Sequence, residues 1–342
     1  MATRFEIALH GGNPVSLRAA AEEALDEIER IESQLSLYRP TTEIARVNAL
    51  AHREPVRVSL PVFRLLQRAR QLHQETDGVF DITIAPLLRC WGLMGGAGRV
   101  PTEAEIAEAR ACVGMGLVQL DDENLTVRFQ RPGVMLDLGA IGKGYAVEKA
   151  AELLRELGVT SALIHGGTST IYALGQPPDQ ETWKVALEMP SRERTGFQLA
   201  QPSPGSDASQ VSREARPTPL AVVPLRDESL SVSAVWGKSF HAGGKTYGHI
   251  IDPRTGTPAD AAILAAVVLP SATETDALST ALMTLGCQGH SQIAALRPGM
   301  KSFLASRRDS DIAFEGRGIA PLISSLRHPE PPARFCGGQE SR

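Results

Sequence analysis

Apolar residues recur along this chain with two periods, and the two mark different elements. After an alternating run over residues 4–9, Asn13-Pro14 opens a segment in which Leu17, Ala20, Ala21, Ala24, Leu25, Ile28 and Ile31 share one helical face. A second helix is predicted over about 60–76, with Pro61 tolerated in its first turn, and a third over 102–112. Between the first two, "SLYRPTTEIARVN" reads as loop. Alternation over 116–130 around "DDEN" predicts a hairpin. Strand signals return at 160–164, 183–188, 220–224, 229–233 and 262–269. "TETDALSTALMTLG" reads as another helix, with Thr273 or Thr275 as a candidate N-cap and Gly286 just past its end. Strands and helices are interspersed without a regular βαβ rhythm, so the expected fold class is α+β.

Composition refines this picture at three points. With 342 residues and 42% hydrophobic content the chain can bury a substantial core. Two stretches do not read as core: 190–218, rich in Pro, Ser and charge, is expected to be a flexible insertion, and 327–342 a disordered tail, which leaves 1–326 as the folded domain. The net charge of −4 comes with no basic cluster, so no nucleic-acid partner is expected. Cys90, Cys112, Cys287 and Cys336 form no CxxC pair and suggest neither a zinc site nor a redox dithiol. No signal peptide, membrane anchor or long apolar run is read, and a cytoplasmic location is expected.

The chemistry concentrates in three stretches. "LDLGAIGKGYAVEKA", residues 136–150, is read as a strand, a glycine turn and a helix. It is too short for a Walker loop and lacks the third glycine of a dinucleotide fingerprint. Glycines at a helix start still turn backbone N–H groups toward an anion, and Lys143 adds a charge. A tight turn with a solvated lysine fits the same pattern. "YGHIIDPRTGTPA" sets His249 before a turn containing Asp252 and Arg254. That histidine is either a satisfied core residue or a group that contacts phosphate or takes a proton near neutral pH. Asp276 and Thr280, four apart on one helical face, suit a hard cation such as magnesium, or are simply an acidic residue and a hydroxyl near a helix start.

Together, "LDLGAIGKGYAVEK", "HIIDPRTGTP" and "TDALSTALMTLG" resemble the ApbE family of FAD:protein FMN transferases. "SLYRPTTEIARVN", "TDGVFDITIAPLLRCWG" and the opening "MATRF" extend the resemblance over most of residues 1–316. It implies an α+β, T-fold-related core of mixed or antiparallel sheets with packed helices. It also implies FAD as substrate, Mg2+ as cofactor, and transfer of FMN to a Thr or Ser hydroxyl of a target protein with release of AMP. Carried over by position, Met1, Tyr38, Val79, Phe80, Asp81, Asp137, Lys143, His249 and Ile251 fall at FAD-contacting places. The Ala140 carbonyl with Asp276 and Thr280 falls at magnesium positions, with Ser279 a weaker candidate. The acceptor hydroxyl must lose its proton, for which His249 is the first candidate and Asp252 the second. Tyr38 or Phe80 is expected to stack on a flat ring, and Trp91 and Trp183 to serve packing.

The sequence departs from the family at Val232-Ser233-Ala234, where T-S-G is usual. If that turn required positive φ, Ala234 would be strained. The departure keeps a non-catalytic flavin-binding protein open as an alternative, beside an FAD pyrophosphatase that releases FMN and AMP.

Overall fold

The computed structural model describes residues 3–189, 219–235, 239–308, 311–322 and 325–327. Met1, the 190–218 stretch and residues 328–342 of the expected tail lie outside them. Helices α1 (Pro14–Leu35), α2 (Glu43–Leu50), α3 (Leu60–Glu75), α4 (Ala85–Cys90), α5 (Glu103–Arg110), α6 (Gly142–Glu156) and α7 (Ala272–Ala295) accompany an eight-stranded sheet. Its spatial order is Phe5–His10, Ser161–Gly166, Thr170–Leu174, Glu228–Ala234, Leu264–Leu269, Lys301–Arg308, Asp311–Arg317 and Ser325–Arg327, every neighbouring pair antiparallel. The fold is therefore α+β, as the mixed periods predict.

The sheet is covered on both faces. Along Leu264–Leu269, Ala265, Val267 and Leu269 join the core beneath α1, α3, α6 and α7. Leu264, Ala266 and Val268 join a second core with Leu187, Leu220, Val223 and Leu225 from the two-stranded sheet Trp183–Glu188 and Pro219–Leu225. A continuous apolar run is the pattern that two-sided burial demands. Trp91, Leu87, Phe240 and Ile251 form a third, smaller core under the hairpin Ser239–Ala242/Lys245–Gly248. Among the described residues no helix is long and apolar enough to cross a membrane.

Several local expectations are revised. "TTEIARVN" is helix α2 rather than loop, because Thr42 caps it by accepting from the Ala45 N–H (3.0 Å). The run before the glycine turn alternates in burial but joins no sheet. Its backbone is satisfied by the Asn48 amide, which bonds Leu136 in both directions (2.7 and 2.9 Å), and by Asp137 N–H donating to Ile82 O (2.7 Å). The N-cap of α7 is Ser271, not Thr273 or Thr275. Gly286 marks a kink inside α7 (φ 63°), and helical structure resumes beyond it. Ala234 has no positive φ; it lies in a regular strand paired with Leu264, so the expected strain is absent.

Candidate active site

The glycine turn and α7 meet at a seam of polar atoms. Lys143, in the first turn of α6, places Nζ 3.3 Å from Asp276 Oδ1 and donates to Gly139 O at 3.2 Å. Asp276 is only 4% exposed, and its second oxygen accepts the Gly144 N–H at 3.0 Å. A carboxylate so buried is costly without a counter-charge and hydrogen bonds, and the turn provides both. The close approach requires Gly144: a Cβ there would fall against the Ala272 carbonyl oxygen and 2.7 Å from Asp276 Cβ. The second glycine of "GKG" thus serves helix packing, and the lysine between the two faces the carboxylate.

Behind Asp276 lies a buried ladder of hydroxyls. Thr280 Oγ1 donates to Asp276 O (3.2 Å) and sits 3.3 Å from Ser233 Oγ. Ser279 Oγ donates to Asp276 O (3.0 Å) and also lies 3.0 Å from Ser233 Oγ. Ser231 and Ser229 continue the ladder to Thr275 at 3.0 and 3.1 Å. Ser233 is the residue kept within the departed Val232-Ser233-Ala234 run, and it braces two of the metal-candidate side chains.

The other sequence candidates divide between ligand-facing and structural positions. Asp137 Oδ1 accepts the Gly139 N–H at 2.7 Å, fixing the turn. Tyr38 is 67% exposed, and burial of part of the ring, then the Asp137 charge, pushes its phenol above the usual range. Asp137, Gly139, Lys143 and Asp276 are linked in turn by the contacts above, and Tyr38 feels the Asp137 charge. Phe80 is 1% exposed within the core, so its ring offers no stacking face; of the two aromatic candidates, only Tyr38 does. Val79 and Ile251 are also buried.

Asp81 is turned inward. Its Oδ1 accepts from Thr83 N–H (2.7 Å) and Thr83 Oγ1 (2.6 Å), and His73 Nδ1 lies 3.2 Å from Oδ2. Burial lowers the His73 pKa, but the Asp81 hydrogen bond and charge outweigh it and raise the net value. His249 is half-buried, between the strand Lys245–Gly248 and the bridge at Ile251–Asp252. Asp252 is taken by Arg254, which donates from N and Nε to Oδ1 (2.9 and 3.0 Å) and from Nη2 to Oδ2 (2.7 Å). That carboxylate holds the turn and is poorly placed to accept a proton. The Trp91 indole N–H donates to Gly256 O (2.8 Å), tying the same turn to α4.

Sequence reasoning passed over two residues of this seam, Glu148 and Ser233. Ser233 had a signal, since "SLSVSA" alternates serines against apolar residues; Glu148 had none, because the "SATE" helix start at 271–274 points to its own Glu274. Among the described residues no three His, Cys, Asp or Glu side chains converge.

Solved structures similar to this chain include flavin transferases. The flavinyl transferase ApbE of Pseudomonas stutzeri, in its apo form, superposes with a TM-score of 0.73 at 27% identity, covering 92% of this chain and 94% of that one. The flavin transferase ApbE of Vibrio cholerae gives 0.73 at 25% identity, with 92% and 94% covered. The FAD:protein FMN transferase of Klebsiella pneumoniae (strain 342) is 30% identical over 321 residues, 92% of this chain and 89% of that protein. Fold and relationship place the chain among the transferases. More narrowly, it belongs to the ApbE family, whose model matches residues 1–304.

Proposed function

We propose that this chain is a magnesium-dependent FAD:protein FMN transferase. The observation that carries the reading is the glycine turn with Lys143 Nζ 3.3 Å from the buried Asp276 carboxylate. It joins one cation, one carboxylate and a helix start, the equipment for a pyrophosphate. FAD would lie beside Tyr38, Asp137 and Lys143, with Tyr38 as the exposed platform for a flat ring; the family likeness adds Val79, Phe80, Asp81 and Ile251 to its surroundings. The family likeness gives Met1 the same role.

The donor set fits magnesium. Asp276, Thr280 and the Ala140 carbonyl offer hard oxygens with a single carboxylate, and Mg2+ commonly takes one or two carboxylates and leaves other places to water and phosphate. When bound, the ion supplies charge neutralisation at the phosphate oxygens. Ser233 braces Thr280 for that role, and Lys143 shares the phosphate charge.

The reaction balances simply. The hydroxyl oxygen of a Thr or Ser on an acceptor protein forms a bond to the FMN phosphorus. The bond to the bridging pyrophosphate oxygen breaks, and its electron pair leaves with AMP. His249 takes the hydroxyl proton. Positioning and charge stabilisation dominate such phosphoryl-type transfers.

The test is incubation with FAD, Mg2+ and a threonine-containing acceptor peptide, reading AMP by chromatography and peptide mass. A gain of one FMN phosphoryl unit together with AMP is expected. AMP without modified peptide would make the chain an FAD pyrophosphatase, and neither product would make it a flavin-binding protein only.

A further inference from the structure

Helices α6 and α7 cap each other. α6 starts after Ile141, which has no side chain to cap it, and the Gly144 N–H in its first turn donates instead to Asp276 Oδ2 on α7 (3.0 Å). One turn further along α6, Glu148 Oε2 accepts the Thr273 N–H of α7 (2.9 Å) and the hydroxyl of Ser271, the α7 N-cap (2.6 Å). Ser271 Oγ in turn accepts the Glu274 N–H (3.2 Å). Each helix start is thus held by a carboxylate of the other, where negative charge is favoured by the helix dipole. Glu274 itself is engaged by Arg68 and by Arg297 Nε (2.6 Å), so it does not replace Glu148 at this end. Asp276 is therefore held against the glycine turn directly by Gly144 and Lys143 and, without being touched, by Glu148.

We infer that Glu148 is a positioning residue. It holds the first turn of α7 on α6, so that Asp276 meets Lys143 and Gly144, and in doing so it sets the affinity of the site for a divalent cation. The second half rests on the magnesium reading above; the first half does not.

The experiment compares wild type with Glu148→Ala and Glu148→Gln. In the metal-free proteins, hydrogen exchange at the Gly144 amide is followed by NMR. The alanine variant is expected to speed it at least about tenfold, the free-energy equivalent of one hydrogen bond. Glutamine keeps an oxygen acceptor and should restore most of the protection, while amides of the Lys301–Arg308 strand stay unchanged in both. Titration with Mn2+ on the same proteins should show binding weakened about 10–100-fold in Glu148→Ala, the usual cost of losing a residue that orients a ligand. The Mg2+ concentration for half-maximal AMP release should rise by the same factor, with the rate at saturating metal retained within about threefold. If Glu148→Ala does not fold, Glu148→Asp, whose carboxylate is one methylene shorter, should show the same changes in smaller measure. Unchanged Gly144 exchange overturns the proposal, and so does wild-type metal affinity in the alanine variant. If the wild type takes up no manganese, the magnesium reading falls, and Gly144 exchange alone then decides the role of Glu148.

Discussion

The side chains of Lys143 and Asp276 are 22% and 6% exposed, so the pair stands half in and half out of the protein. Such a pair has a free cationic face for a ligand phosphate and a carboxylate that cannot be left alone. Its neighbours differ in what they can give. Asp252 and Asp81 have their oxygens engaged by Arg254 and by Thr83 with His73, and the proposed mechanism gives the proton transfer to His249. His249→Gln should therefore slow peptide flavinylation about 10²–10⁴-fold while FAD binding persists. The readout is transfer rate against pH, and an unaltered profile would remove His249 from the mechanism. His73 makes a separate prediction. Its folded pKa is raised by Asp81 above the ordinary value, so the charged pair stabilises the fold fully below that ordinary value. The contribution is lost as pH rises through the raised folded value. Wild type should accordingly lose stability relative to His73→Asn as pH climbs above about 6.5. Urea titrations showing a constant difference from pH 5.5 to 8.5 would contradict it.

Among the elements, α6 and α7 form the seam, and Gly144 decides how closely they approach. Gly144→Ala should cost about 1–3 kcal/mol by overpacking against Ala272 and should lower AMP release by moving Asp276. Denaturant midpoint and AMP rate should fall together, and wild-type values in both would show that the seam can give way. The helices with clear apolar faces, α1 and α3, were legible in the sequence because burial alone specifies them. So was the strand Leu264–Leu269, whose unbroken apolar run suits a sheet buried on both faces. Thr170–Leu174 was missed: all five residues are buried, and so short a run carries no period. Glu228–Ala234 was found, but its serines face the hydroxyls of α7 rather than water. Residues 134–138 alternate in burial yet bond to Asn48 and Ile82, a tertiary choice no local pattern encodes. Lys143 and Asp276 were legible one by one as a charge at a glycine turn and an acid on a helix face, but not as a pair. Their 3.3 Å contact joins positions 133 apart in the chain.

At the scale of the whole molecule, one antiparallel sheet with both faces covered provides a rigid floor. The strand Glu228–Ala234 carries Ser233 to α7, and α7 carries Asp276 to the glycine turn of α6. The central claim is that this seam is where FAD is cleaved. Its most direct test measures AMP release and FAD affinity in parallel for wild type and Asp276→Asn, which preserves shape while removing the charge. AMP release should fall by about 10²–10³-fold, the scale of losing a main electrostatic contributor, with FAD affinity changed by less than about tenfold. AMP release at the wild-type rate from Asp276→Asn would place the cleavage away from this seam.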